Sequence, residues 1–119
     1  MPIHRFQPEL EFPTVERCFI TELRNVSTDR SCSIARARVA PGVTTQWHLL
    51  RDVVEHYVIV EGQGLVEVGD DPPTPVSVLD VVSIPANSRQ RIKNTGSGDL
   101  SILCVCLPRF VPECYESLE

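Results

Sequence analysis

Apolar and polar residues alternate along most of this chain in short runs, and each run ends at a proline, glycine or asparagine. In "SIARARVAPG", Ala35, Ala37 and Val39 fall on one side of an extended segment and Arg36 and Arg38 on the other. That period of two belongs to a half-buried strand, with both arginines projecting outward. "RCFITELRN", "QWHLL", "RQRIKN" and "SILCVCL" carry the same strand signature. "EHYVIVEG" and "LVEVG", joined by Gly62-Gln63-Gly64, form a hairpin pattern, and "VSVLDVVSIP" is a further strand. "DDPPTP" is a loop that no helix or central strand accommodates. Roughly eight or nine strands with turn signals about every ten residues predict an all-β sandwich or small barrel.

The ends differ from the middle. The first fifteen residues carry three prolines and no sustained period, an irregular arm, and "PRFVPECYESLE" is a tail with room for one helical turn. The whole of 1–119 is one domain, with an arm and first strand over 1–32, a barrel over 33–107 and a tail over 108–119. "YVIV" and "ILCVCL" are apolar on both faces, although an antiparallel sheet normally shows one face to water. Either the arm and tail cover the outer face or a second subunit does, and a homodimer is the simpler expectation.

Composition narrows the function. The chain has 119 residues, 42% of them apolar, and a formal net charge of −5 with its basic residues scattered. That disfavours nucleic acid and anionic membranes as partners. There is no apolar run near 18 residues and no charged-then-apolar start, so neither a membrane span nor a secretory signal is expected. Five cysteines (18, 32, 104, 106 and 114) form no CxxC pair, which suits a reducing cytoplasm. Cys104 and Cys106 sit about 6.6 Å apart on a strand, near the limit for a disulfide, and are expected reduced.

Two groups of residues resemble the motifs of the cupins, small double-stranded β-helix (jelly-roll) barrels. Gly42, His48, Leu50, Glu55 and Gly62 meet every spacing of the first cupin motif. Leu79, Pro85, Asn87, Gln90 and Asn94 meet the spacing of the second, with Leu79 and Asn87 at positions where that motif has glycine, after a short spacer. The similarity spans about residues 33 to 107, and the tail resembles small bacterial cupins labelled mannose-6-phosphate-isomerase-like.

The resemblance implies a divalent metal (zinc, iron, manganese or nickel) held at positions occupied here by His48, Leu50, Glu55 and Gln90. Only His48 and Glu55 keep the family's residue type, and Leu50 has no donor. Residues two apart on a strand share a face, so Gln46, His48 and Leu50 point together, as do Glu55, Tyr57 and Ile59, and Gln90, Ile92 and Asn94. A pocket lined by Gln46, His48, Leu50, Glu55, Tyr57, Gln90 and Ile92 follows, with Tyr57 at its rim and His56 on the opposite face. Cys104 and Cys106 share a strand face and are either small buried hydrophobes or thiolates standing in for a missing imidazole.

Two functions fit. One is a barrel with a degenerate metal site, with or without metal, that binds a small polar organic molecule through His48, Glu55 and Gln90. The alternative is a metal-dependent enzyme, isomerase- or dioxygenase-like, with those three as ligands and Tyr57 or Glu55 transferring the proton. A vestigial pocket in a dimeric subunit is the third reading.

Overall fold

The computed structural model describes residues 2–119 and is built from two antiparallel sheets facing each other. In chain order the strands are β1 (Phe12–Pro13), β2 (Phe19–Arg24), β3 (Ser33–Val39), β4 (His48–Leu50), β5 (Val54–Glu61) and β6 (Gln63–Val68). They continue with β7 (Thr74–Ser77), β8 (Val81–Ile84), β9 (Gln90–Asn94), β10 (Leu100–Leu107) and β11 (Tyr115–Ser117). One sheet has the order β1-β2-β3-β10-β5-β8 and the other β11-β4-β9-β6-β7. Successive strands switch repeatedly between sheets, the topology of the all-β jelly roll expected from the sequence. Among the described residues no helix is long and apolar enough to cross a membrane.

The inward halves of the alternating patterns meet between the sheets. Val39, Ile59, Ile84, Ile92, Leu100 and Ile102 are buried to 1% exposure or less, and that burial is the main driving force for closure. A smaller cluster of Leu50, Val53, Cys106 and Cys114, joined by Phe110 and Tyr115, closes one end of the barrel. The tail completes it with Phe110, Cys114 and Tyr115, and its 3-10 turn at Pro112–Cys114 is the expected helical turn. The tail then adds β11, unforeseen in the sequence, along β4.

Three expectations are corrected. β5 and β6 do not form a hairpin, because they lie in different sheets. Gly62 carries the chain across with φ +83, and a Cβ there would sit 2.5 Å from the Asp99 carbonyl oxygen, so only glycine fits. "VSVLDVVSIP" is not one strand: it breaks at Leu79 (φ 73), and the Asp80 carboxylate accepts the Ser77 amide at 2.8 Å. Part of "DDPPTP" is strand after all, since β7 includes Pro75. β7 is an edge strand, where a missing N–H is tolerated.

The arm contains a 3-10 turn at Pro8–Leu10 and β1, and it packs on one side of the six-stranded sheet. Glu11 pairs with Arg36 and Arg38, and Arg36 lies over the Phe6 ring. Both arginines project outward as expected. The arm leaves β5, β8 and β10 uncovered, where Val54, Val60, Val81 and Leu107 are exposed.

Candidate functional site

His48 opens β4 and pairs directly with Gln90 on β9. It is almost fully buried, and its ring Nδ1–H donates to the Gln46 carbonyl at 2.7 Å. That bond fixes the ring so that Nε2 faces the Glu16 carboxylate at 3.7 Å. Tyr115, brought alongside by β11, stacks on the imidazole with centroids 5.0 Å apart.

Glu55 lies on the inward face of β5, between Cys106 of β10 and Ile84 of β8. It is 7% exposed. Its Oε2 accepts a long bond from the Cys106 thiol at 3.7 Å, while Oε1 has no hydrogen-bond partner. Burial, reinforced by the charge of Glu16, pushes its pKa up to about 7, against partial relief from Gln90 and Cys106. Burial also raises Glu16, with His48 pulling the other way.

Tyr57, two residues on, donates its hydroxyl to Gln90 Oε1 at 2.6 Å. It is 5% exposed, inside the barrel rather than at the rim. Burial and the Glu55 charge hold the phenol well above its ordinary range, so it stays protonated at neutral pH. Gln90 is buried beside it and its side-chain oxygen is already engaged.

These groups surround an interior cavity of about 120 Å³. His48, Leu50, Glu55, Tyr57, Ile92, Cys104 and Cys106 all line it. Gln90 sits behind the wall, and Gln46 is turned away, accepting the Tyr115 hydroxyl. The two-residue period fails at Gln46 because β4 begins only at His48, and the Gln46 amide bonds instead to the Glu16 carbonyl. His56 bonds Ser83 on the outer face, as expected. Cys18, Cys104 and Cys106 all have thiols raised by burial, Cys18 to about 12. All five cysteines are free. Among the described residues, no three His, Cys, Asp or Glu side chains come together in a set able to hold a metal ion.

Glu16 is the residue that sequence reasoning missed. It sits in a tight turn where the Thr14 amide bonds the Cys18 carbonyl and Arg17 takes φ 72. Arg17 pins the turn through Thr44 O at 2.9 Å and both oxygens of Glu119. A signal was present: Thr14, Glu16, Cys18, Ile20 and Glu22 alternate, and all five line the cavity. Pro13 and the left-handed Arg17 hid that alternation in what looked like irregular chain.

A family model described as "Cupin domain" matches residues 35–106. Over 87 residues the chain is 36% identical to a Methanocaldococcus jannaschii protein called "Uncharacterized protein MJ1618", covering 73% of this chain and 69% of that one. Among solved structures, a variant of Streptomyces Pac13 with uridine superposes with a TM-score of 0.80 at 19% identity, covering 98% of this chain and 91% of that one. Pac13 is described as a unique nucleoside dehydratase. The capsular polysaccharide assembling protein CapF from Staphylococcus aureus matches at 25% identity and a TM-score of 0.74. The match covers 92% of this chain and 34% of CapF.

Proposed function

Because the chain belongs to the cupin family, we propose that its barrel binds a small polar organic molecule, with Glu55 as the group that takes hold of it and no metal required. The observation that carries this reading is Glu55 Oε1, a buried carboxylate oxygen on the cavity wall that no protein donor meets at hydrogen-bonding geometry, the neighbouring Gln90 and thiols giving the carboxyl only partial relief. Such an atom is costly unless something pairs with it, and a ligand O–H or N–H does so. The cavity of about 120 Å³ is of the order that admits one small ring.

The residues at the family's metal positions do not fit a resident divalent ion. Leu50 offers no donor, the Gln90 oxygen is committed to Tyr57, and His48 Nε2 faces Glu16. Zinc, iron, manganese and nickel sites of this kind need three or more protein donors aimed at one point. A phosphorylated sugar is also a poor match, since no lysine or arginine lines the cavity. The uridine-bound Pac13 barrel supports a hydroxylated or nitrogenous ligand only as an example of what this fold accommodates. Five free thiols support a reducing compartment, and we place the protein in the cytoplasm.

One observation favours catalysis as a second reading. A carboxyl group titrating near 7 beside a ligand is suited to both giving and taking a proton at neutral pH. Glu55 would then be the proton-transfer group of a metal-independent isomerisation or elimination, with Tyr57 holding Gln90 in place.

The test joins two measurements. Elemental analysis of untagged protein is expected to find no stoichiometric metal. A thermal-shift screen of polyols, glycosides, nucleosides and amines is expected to find a stabilising class whose effect disappears in Glu55→Gln. Stoichiometric metal that is lost in His48→Ala, or ligands indifferent to Glu55→Gln, would overturn the proposal.

A further inference from the structure

The charge of the cavity and the make-up of its mouth bear on what kind of molecule enters. Resting on the reading of the barrel interior as a ligand site, we propose that the ligand is a cation. It is a protonated amine bearing an apolar or aromatic substituent, the nitrogen held between Glu55 and Glu16 and the substituent lodged in the mouth.

Glu16, Glu22 and Glu55 line the cavity, and no lysine or arginine does. Nearby guanidiniums are occupied elsewhere: Arg17 on Glu119, and Arg36 and Arg38 on Glu11 across the outer face. Arg109 acts on Glu22 alone among the three. Glu16 therefore has only His48 as a balancing base, and Glu55 has none. Glu55 Oε1, nine-tenths buried and without a partner, faces this space. An ammonium group supplies both what a buried carboxylate lacks, a hydrogen-bond donor and a countercharge.

A shallow, open surface groove of about 210 Å³ adjoins the cavity, and Thr14, Glu16 and Phe110 belong to both. Its other walls are Val15, Pro112 and Tyr115. Val15 stands 76% exposed at the tip of the arm's turn, where it contributes nothing to the core. An apolar side chain and two aromatic rings around one carboxylate suit an organic cation, whose charge meets Glu16 and the ring faces while its hydrocarbon meets Val15 and Pro112.

Calorimetric titration of the full chain with benzylamine, benzyl alcohol and methylamine separates the two halves of the proposal. Benzylamine is expected to bind at least tenfold tighter than the isosteric alcohol, and about tenfold tighter than methylamine. Glu55→Gln and Glu16→Gln each bring the amine down towards the alcohol, whereas Val15→Ser weakens benzylamine and leaves methylamine unchanged. An alcohol that binds as well as the amine, or an amine indifferent to both glutamate variants, overturns the cation. Equal binding of benzylamine and methylamine overturns the two-part site. A neutral glycoside that binds through Glu55 while every amine fails overturns this inference and leaves the pocket reading standing. Failure of neutral and charged probes alike overturns both.

Discussion

Replacing Glu55 by glutamine, which keeps the shape and removes the charge, is expected to stabilise the protein in a strongly pH-dependent way. In the unfolded chain the carboxyl titrates near 4.5, and in the barrel near 7, chiefly through burial and then through Glu16. Below about pH 4.5 both states are protonated and the group contributes nothing to the pH dependence. Between the two values the unfolded chain releases its proton while the folded protein keeps it. Folding stability then falls as pH rises, by about 1.4 kcal/mol per pH unit. Above pH 7 both states are ionised and the loss levels off. Over the whole window it comes to about 3 kcal/mol, a large part of a small domain's stability. Urea unfolding of wild type and Glu55→Gln at pH 5, 6, 7 and 8 reads this as the difference between two curves, which also contains the relief that Glu16 gains when the Glu55 charge is gone. The variant's advantage is expected to be small at pH 5 and to grow to about 3 kcal/mol by pH 8. Parallel stability curves would refute the reasoning, since they would mean that Glu55 feels no desolvation. Glu16→Gln is expected to shift the loss to lower pH and reduce it, because the second-largest cause is gone.

Leu79→Gly should raise the urea midpoint without changing the m-value. Leu79 holds φ 73 and is 75% exposed, so relief of left-handed strain, net of glycine's flexibility, gives about 0.5–1 kcal/mol with little burial lost. No gain would mean that the leucine contributes contacts beyond this chain. A thiol reagent at pH 8 should label Cys32, which is half-buried, and reach Cys18, Cys104, Cys106 and Cys114 only after unfolding. Fast native labelling of Cys106 would show that the cavity opens. We further propose that a second copy covers the apolar outer face of β5, β8 and β10. Light scattering should then give twice the 13.3 kDa chain mass, falling to 13.3 kDa in Val81→Lys; a monomeric wild type would refute it.

How much of this was legible in the sequence depends on which interactions are local. Strand identity was readable because burial imposes a period of two, and the segments around Ala35, Glu55, Gln90 and Cys104 all became strands with their expected inward faces. Strand partners were not readable. A glycine such as Gly62 fits a hairpin or a crossing between sheets equally well, and the Asp99 carbonyl that decides the matter lies far away in sequence. The site was legible mostly where it rests on strands, although Gln90 stands behind the cavity wall and Tyr57 lies inside the barrel rather than at its rim. It failed at Gln46, just before a strand begins, and at Glu16, where Arg17 holds a turn in place through Thr44 and Glu119, two distant parts of the chain.

The backbone geometry of the cupin motif has outlasted its full ligand set in this barrel. Leu79 and Asn87, which stand where the cupin motif has glycine, still adopt left-handed φ of 73 and 66, so the fold's conformational demands persist without the residue that meets them most easily. The ligand positions did not persist in that way, because Leu50 and the engaged Gln90 remove the donors that a divalent ion needs. On the metal-free reading proposed above, Glu55 is a liability that an apolar residue would remove. The structure instead places another carboxylate, Glu16, against the same cavity and raises Glu55 further. A vestigial pocket gives no reason to carry two carboxyl groups and an unpaired oxygen at such a cost to folding. A pocket that waits for a donor or a cation from outside, as proposed here, does, and the stability forgone at neutral pH is then what the proposed ligand would restore on binding.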